Sequence, residues 1–392
     1  MSFATRFTQK LFPAGESNLA LVMTGGGARA AYQVGFLKCL ANIFPQLKVP
    51  IITGMSAGAI NAAFLANHPG NFRQAINDLS ETWNQITPEK IFRVDSFSLI
   101  ANMLRWGFHL AAGKFSRPSA VRSLVDTRPL NRFLCECYQA DGGRLTGIEE
   151  NLKKGHLKAT AITSTSYMTG QTVTWTQGCD LKNWERPHQV SRKTHLTVAH
   201  IMASASIPFF FPAVKVENEW HGDGSIRLYS PLSPAIHLGA EKILAISTRY
   251  RRDAAEASRP AISEYPALAQ IAGVLMNTVF LDLLDQDADR LVRTNRLLEK
   301  MPERKRNGYR PIKLFILRPS MDLSQIAPKF EPKLPYLFRT LMRNQGASQS
   351  KSPDWLSMIM FQNDYLRELI RLGEQDAQNR REEIGRFLND DD

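Results

Sequence analysis

Cysteine is scarce in this sequence, with four residues among 392. Cys135 and Cys137 are separated by a single residue, and no two cysteines have the CxxC spacing. This usage matches neither a zinc framework nor a disulfide scaffold, and it favours a reducing compartment.

Long uninterrupted apolar runs are also missing. Residues 1–17 contain basic and aromatic side chains but no continuous apolar segment, so they do not match a secretory signal. The longest apolar tract, residues 196–216, is interrupted by His200, Pro208 and Lys215, which predicts a core segment and not a membrane span. We therefore expect a cytoplasmic protein that contacts a membrane, if at all, only peripherally.

Acidic residues are outnumbered by basic ones. The 37 Asp and Glu against 49 Lys and Arg leave a formal net charge of +12, which favours anionic partners. No zinc spacing and no RNP-type motif accompanies this charge, so we expect no nucleic-acid partner. An anionic membrane surface is the alternative, through basic clusters at Arg249, Arg251, Arg252, Arg304, Lys305, Arg306 and Arg310.

Strand-like and helix-like patterns alternate along the chain, and no internal repeat is present. The strand patterns cover residues 19–23, 49–52, 157–162, 171–176, 213–216, 243–247 and 312–317. The helix patterns cover residues 30–42, 57–65, 72–85, 130–138, 197–204 and 267–300. This alternation predicts an α/β domain with helices on both faces of a mainly parallel sheet.

The stretch TGGGARA, residues 24–30, follows a predicted strand and opens a predicted helix. Its glycines allow a sharp bend that leaves amide groups at a helix N-terminus, where an anion is stabilised. The anion is either a dinucleotide pyrophosphate or the oxyanion of acyl transfer. Gly25, Gly27 and Ala30 match G-x-G-x-x-[GA], but no acidic residue stands about twenty residues later to hold a ribose.

The stretch GMSAG, residues 54–58, also lies between a predicted strand and a predicted helix. In a nucleophile elbow the serine is strained, so Gly54 and Gly58 would keep clear the space on either side of Ser56. The same small residues also fit a helix that simply packs close to a strand. Both interpretations are open, and the context favours the catalytic one.

A serine nucleophile needs a base, and the sequence offers no good histidine. In the order serine, acid, histidine only His237 follows a plausible acid, and its surroundings predict a packed helix. Asp223 lies in HGDGS, an acid between glycines, which by itself is typical of an ordinary turn. A carboxylate in a dry site can nevertheless act as a general base.

The glycine-rich loop, the serine elbow and the Asp-Gly turn, in this order, resemble the patatin-like phospholipases. The resemblance extends to ASASIP at residues 203–208 and SPLSPAI at residues 230–236, and it covers about residues 19–247. There are two departures. Ala30 replaces a glycine that is common after the first motif, and Ser225 stands where glycine or alanine usually follows Asp-Gly.

This resemblance implies a three-layer α/β/α fold with a mainly parallel central sheet, followed by C-terminal helices. It implies a lipid acyl hydrolase of the phospholipase A or lysophospholipase type, which acts on phospholipid or another acyl-ester lipid without metal or cofactor. The implied dyad is Ser56 as nucleophile and Asp223 as base. The implied oxyanion hole and elbow comprise Gly25, Gly26, Gly27, Arg29, Gly54 and Gly58.

The expected organisation is an N-terminal extension over residues 1–17, a patatin-like domain over 18–320 and a helical extension over 321–392 packed on or beside the core. A non-catalytic protein that binds lipid or nucleotide through the glycine-rich loop is the alternative function. The sequence does not predict an oligomeric state.

Overall fold

One mixed β-sheet organises the computed structural model, which describes residues 18–93, 123, 125–251, 256, 283–333 and 354–389. Within these ranges the sheet has ten strands. They are β1 (Leu19–Met23), β2 (Ile51–Met55), β3 (Ala159–Ser166), β4 (Thr172–Gly178), β5 (Glu185–Arg186), β6 (Gln189–Lys193), β7 (Val214–Val216), β8 (Glu219–Asp223), β9 (Lys242–Ile246) and β10 (Lys313–Leu317).

The strand order is β10-β9-β1-β2-β3-β4-β6-β5. The five strands from β10 to β3 are mutually parallel, so their carboxyl ends share one edge of the sheet. Strand β4 runs antiparallel to β3. Strand β8 also pairs antiparallel with the end of β3, and β7 pairs with β8. The carboxyl edge is where an open α/β sheet typically carries its binding site.

The sheet separates two hydrophobic cores. In β1, Leu19, Leu21 and Met23 belong to one core and Ala20 and Val22 to the other, because successive side chains point to opposite faces. Both faces of β1 are fully covered, as is typical of parallel strands. The predicted three-layer α/β/α fold with a mainly parallel sheet is therefore confirmed.

Helices cover both faces. They are α1 (Ala31–Ile43), α2 (Ala57–Asn67), α3 (Phe72–Asn84), α4 (Pro88–Ile91), α5 (Arg128–Cys137), α6 (Thr146–Lys154), α7 (Val198–Ser204), α8 (Ser233–His237), α9 (Leu283–Glu299), α10 (Asp354–Ile359), α11 (Asn363–Asn379) and α12 (Arg381–Asn389). A short 3-10 helix, Gly27–Ala30, leads into α1. In the described part of the chain, no helix combines the length and the apolar character needed to cross a bilayer.

The C-terminal helix α11 lies across α1 at a very close approach. A Cβ added at Gly35 would lie 1.8 Å from the Ile370 carbonyl oxygen, and one at Gly373 would lie 2.1 Å from the Tyr32 carbonyl oxygen. The Tyr32 hydroxyl also donates a hydrogen bond to Asp376 Oδ2 at 2.9 Å. The C-terminal helices thus share the core that covers the α1 face of the sheet.

All seven predicted strands form, the first with the predicted ends and the other six with one or both ends shifted. Strand β2 continues to Met55 because Gly54 and Met55 pair with Ile162 and Thr163 of β3. Asp223 is the last residue of β8, where it pairs with Ser164, and the Asp-Gly turn begins at this residue, since the Ile226 amide donates to the Asp223 carbonyl. The expected extension over residues 1–17 and part of the predicted helix over 267–300 lie outside the described residues.

Candidate active site

Ser56 lies between β2 and α2 in a strained backbone conformation. Its φ is 51° and its ψ is −132°, a combination that is rare for any residue other than glycine. The Ser56 amide donates to Ser204 Oγ at 3.0 Å, and Ser204 Oγ donates to the Thr163 carbonyl at 2.6 Å. Strand β3 and helix α7 thereby hold the turn in place.

The glycines on either side of Ser56 are required by close packing. A Cβ at Gly54 would lie 2.5 Å from the Gly58 carbonyl oxygen. A Cβ at Gly58 would lie 2.4 Å from the carbonyl oxygens of both Met23 and Thr24. The turn is strained and the helix also packs close to the strand, so the geometry fits both interpretations of the GMSAG stretch.

Asp223 meets Ser56 at the carboxyl edge of the sheet. Ser56 Oγ donates to Asp223 Oδ2 at 2.6 Å, and the Ser225 amide donates to Oδ1 at 2.8 Å. The Asp223 side chain is completely buried, and Ser56 is 1% exposed. The Asp223 amide and carbonyl are also hydrogen-bonded, to the Ser206 carbonyl and the Thr165 hydroxyl respectively.

Burial raises the pKa of the Asp223 carboxyl to about 7. The hydrogen bonds from Ser56 and Ser225 oppose this increase, because they stabilise the ionised form. A carboxyl group whose pKa lies near neutral pH can both accept and return a proton under physiological conditions.

The glycine-rich loop lies directly against Ser56. A Cβ at Gly25 would be 2.8 Å from Ser56 Cβ, and Gly26 and Gly27 have φ values of 141° and 57°. The amides of Gly25, Gly26 and Gly27 donate no hydrogen bond to any other residue that the structure describes. The loop therefore offers free donors beside a buried hydroxyl.

Thr248, which follows β9, anchors the loop from the other side. Its hydroxyl donates to the Gly25 carbonyl at 2.6 Å, and the same oxygen would lie 2.4 Å from a Cβ at Gly26. The Gln33 side chain donates to the Thr24 carbonyl at 2.8 Å. Two separate elements thus restrain the backbone of the loop.

Arg29 is almost fully buried, with 2% of its surface exposed. The resemblance assigns it a place beside the oxyanion hole. In the structure its Nε donates to Ser357 Oγ of α10 at 2.6 Å. The guanidinium group therefore links the glycine-rich loop to the C-terminal part of the chain.

An apolar cleft lies beside Ser56, with about 480 Å³ of atom-free space that is partly open to solvent. Its lining includes Trp83, Ile86, Leu134, Phe211 and Phe361. A smaller cleft is lined by Gly25, Ser225 and Arg249 among other residues. Ser56 thus borders a space for apolar atoms, and the glycine-rich loop also borders a cleft that contains a basic side chain.

None of the histidines that the structure describes forms a hydrogen bond with Ser56 or Asp223. His237, on α8, stacks on Trp184 with ring centroids 4.4 Å apart. His200 and His221 pack edge-on against Trp175, and burial lowers the pKa of both, that of His200 to about 4. The Ser56 hydroxyl donates to the carboxylate of Asp223, as the resemblance implied.

The sequence reasoning missed several residues that hold the site. Ser204 and Thr248 position the turn and the loop, and Ser357 binds Arg29. Ser204 lies in the ASASIP stretch, which is part of the family resemblance, but its hydrogen bond to the Ser56 amide was not predicted. Thr248 and Ser357 carry no local signal, because each acts through a contact more than 200 residues away in sequence.

Among the described residues, no group of three or more His, Cys, Asp or Glu side chains is arranged to hold a metal ion.

The family model for patatin-like phospholipase matches residues 21–236 of the chain. Human GIVD cytosolic phospholipase A2 is a similar solved structure, 11% identical with a TM-score of 0.48, and the match covers 98% of this chain and 62% of that one. VipD from Legionella pneumophila is 13% identical with a TM-score of 0.40, covering 96% and 67%. ExoU of Pseudomonas aeruginosa, solved with SpcU, is 14% identical with a TM-score of 0.26, covering 93% and 78%. No curated protein sequence matches the chain.

Proposed function

Since the chain belongs to the patatin-like phospholipase family, we propose that it cleaves carboxylic ester bonds of lipids through Ser56 and Asp223. The observation that carries this proposal is the 2.6 Å hydrogen bond between two buried groups, Ser56 Oγ and Asp223 Oδ2, beside the unpaired amides of the glycine-rich loop. A nucleophile with a base in hydrogen-bond reach is the minimum that covalent acyl transfer needs.

In the first half-reaction, Ser56 Oγ attacks the ester carbonyl carbon while Asp223 takes the hydroxyl proton. The carbonyl oxygen becomes an oxyanion that accepts hydrogen bonds from the amides of Gly25, Gly26 and Gly27. The bond to the leaving alcohol then breaks, and Asp223 returns the proton to the alcohol oxygen. The acyl group remains on Ser56.

In the second half-reaction, a water molecule attacks the acyl-enzyme. Asp223 accepts one proton from this water, and the resulting tetrahedral oxyanion uses the same amides. Collapse of the intermediate releases the carboxylic acid and returns the proton to Ser56. No cofactor takes part in either half of this scheme.

Helix termini add to the stabilisation of the oxyanion. Ser56 is the N-terminal cap of α2, which has eleven residues, and Gly27 opens the 3-10 helix that continues into α1. The positive ends of these helices face the region where negative charge develops. The strain at Ser56 keeps its hydroxyl at this point.

The apolar cleft beside Ser56 suits a fatty acyl chain. Its lining is almost entirely hydrocarbon and aromatic, so a chain that leaves water for this cleft gains about 0.8 kcal/mol per buried CH₂ group. We therefore infer a lipid substrate of the phospholipase A or lysophospholipase type, with the acyl chain in this cleft.

The test is product analysis on vesicles of mixed phospholipids and neutral lipids. We expect Ser56→Ala and Asp223→Asn to lower ester turnover by at least about 10³-fold, because the nucleophile or its base is lost. Ser320→Ala changes an exposed serine and serves as the matched control. A fluorophosphonate probe should label Ser56.

Two results would overturn the proposal. One is near-normal turnover by folded Asp223→Asn, which would remove the base. The other is a protein that binds vesicles but releases no fatty acid from any lipid, which would favour the non-catalytic alternative.

A further inference from the structure

A short C-terminal segment outside the family-matched residues lies on the active site. We call residues 357–361 the C-terminal brace. They comprise the end of α10 and the two residues after it. The brace contacts the glycine-rich loop at two points and the apolar cleft at a third.

The first contact is between backbones. The Met358 carbonyl oxygen would lie 2.1 Å from a Cβ at Gly27, so only glycine fits there. Gly27 supplies one of the three proposed oxyanion donors. The brace therefore lies directly over the backbone that the reaction uses.

The second contact joins buried side chains. Arg29 Nε donates to Ser357 Oγ at 2.6 Å, and Ser357 is completely buried. Arg29 lies within the 3-10 helix that begins at Gly27. A hydrogen bond from a charged group in such a dry place restrains the loop strongly.

The third contact places an aromatic ring in the cleft. Phe361 is 7% exposed and lines the same apolar cleft as Ser56. Its ring packs against that of Phe92, with centroids 6.3 Å apart in a T-shaped arrangement. The brace thus supplies one wall of the space that we assign to the acyl chain.

The brace is itself held by α11. The buried Tyr365 hydroxyl donates to the Ser357 carbonyl at 3.3 Å. Helix α11 in turn lies on α1 through the close approaches at Gly35 and Gly373. A continuous packed path therefore connects the C-terminal helices to the glycine-rich loop.

From these contacts we propose that the C-terminal brace completes the active site. Ser357 is a positioning residue, which acts through Arg29 to keep the loop amides aimed at the oxyanion. Phe361 is a specificity-determining residue, which limits the length and bulk of the acyl chain. This inference rests on the proposed function, because it assigns roles within the same site.

The positioning role is tested by kinetics of Ser357→Ala, Ser357→Thr and the control Ser320→Ala. We expect Ser357→Ala to lower kcat by about 10- to 100-fold, less than the 10²- to 10³-fold typical of losing an oxyanion donor outright. KM should change little, and Ser357→Thr, which keeps a hydroxyl, should recover most of the activity. A Ser357→Ala protein that is less stable to heat but has normal kcat at assay temperature would overturn the positioning role.

The specificity role is tested separately, with lysophospholipids of increasing chain length. Phe361→Ala should shift the kcat/KM profile toward longer or bulkier chains, and Phe361→Trp should shift it toward shorter ones. Phe315→Ala removes a partly buried ring that packs on Phe387, so it controls for general loss of packing. An unchanged profile in both Phe361 variants would overturn this role.

The proposed function and the role of the brace can fail independently of each other. If Ser56→Ala hydrolyses every lipid as fast as the unmodified protein, the proposed function fails and this inference with it. If Ser56→Ala is inactive while the Ser357 and Phe361 variants behave like the unmodified protein, only the role of the brace is wrong.

Discussion

At the scale of single residues, the site concentrates features that a stable fold normally avoids. Ser56 has a positive φ, which typically costs about 1–3 kcal/mol, and Asp223 is a carboxyl group shielded from water. Each is held by a hydrogen bond from the surrounding fold: Ser204 Oγ accepts from the Ser56 amide, and the Ser225 amide donates to the Asp223 carboxylate. Strain and burial retained in this way are typical of functional sites.

The raised pKa of Asp223 predicts the pH dependence of turnover. A base must be ionised to accept the Ser56 proton, so activity requires a pH above the pKa of about 7. We expect kcat/KM to fall about tenfold for each pH unit below that value and to level off above it, for a single ionisation. The measurement is initial rate on a soluble short-chain ester from pH 5 to 9.

The matched control for this profile is Asp126→Asn. A hydrogen bond from Arg128 lowers the pKa of Asp126, so this carboxyl does not titrate near neutrality and its loss should leave the midpoint unchanged. A flat profile between pH 5 and 8 in the unmodified protein would contradict the assignment of Asp223 as the base.

At the scale of elements, the turn at Ser56 depends on close packing between two strands and a helix. Strands β1 and β2 and helix α2 approach so closely that Gly58 contacts the backbone of Met23 and Thr24. The loop that follows β1 then lies against the serine that follows β2. The close approach of these elements brings the Ser56 hydroxyl next to the amides of the glycine-rich loop.

This close packing predicts that one added methyl group at Gly58 has a large effect on both stability and turnover. Gly58→Ala should lower the free energy of unfolding by about 1–3 kcal/mol and also reduce turnover, because backbone must move to admit the new Cβ. Gly385→Ala is the control. Its Cβ would meet only Phe44 Cζ at 3.8 Å, so we expect no loss and a gain of up to about 1 kcal/mol. The measurement is denaturant unfolding of both variants. Equal losses in the free energy of unfolding for Gly58→Ala and Gly385→Ala would contradict this interpretation.

At the scale of the whole molecule, the basic clusters lie at opposite edges of the sheet. Arg249 and Arg251 follow the carboxyl end of β9, the edge that carries Ser56. Arg304 and Lys305 precede β10, toward the amino edge of the sheet. Five-residue strands separate the two edges by roughly 15 Å. The first cluster therefore follows the sheet edge that carries Ser56.

This separation predicts how each basic cluster affects vesicle binding and hydrolysis at an anionic lipid surface. The double change Arg249→Glu and Arg251→Glu should weaken vesicle binding and slow hydrolysis on anionic vesicles by severalfold, with the effect disappearing in high salt. The charge-matched control, Arg304→Glu with Lys305→Glu, should retain hydrolysis. Vesicle sedimentation and turnover on neutral and anionic vesicles provide the measurement.

A larger loss of hydrolysis in the control pair would contradict this orientation and indicate that the protein approaches lipid by its amino edge. Vesicle binding that ignores both charge and salt would remove the membrane-surface expectation itself.

The sequence by itself determined the local structure and the family. Strand-like and helix-like patterns predicted seven strands and an α/β domain with helices on both faces of a mainly parallel sheet, because such patterns depend on which faces are buried. The order of the glycine-rich loop, the serine elbow and Asp223 pointed to the family, because the chemistry needs those residue types near turns. Strand β8 was missed, since EWHGD lacks apolar alternation and forms by pairing with β3.

Only the tertiary structure decided which distant groups meet. Ser56 and Asp223 are 167 residues apart, and Arg29 and Ser357 are 328 apart. Such contacts form when the strands assemble into the sheet and the C-terminal helices pack onto α1, so no local pattern encodes them. The pKa of Asp223 has the same origin, because burial is a property of the folded assembly of elements and not of any single stretch of chain.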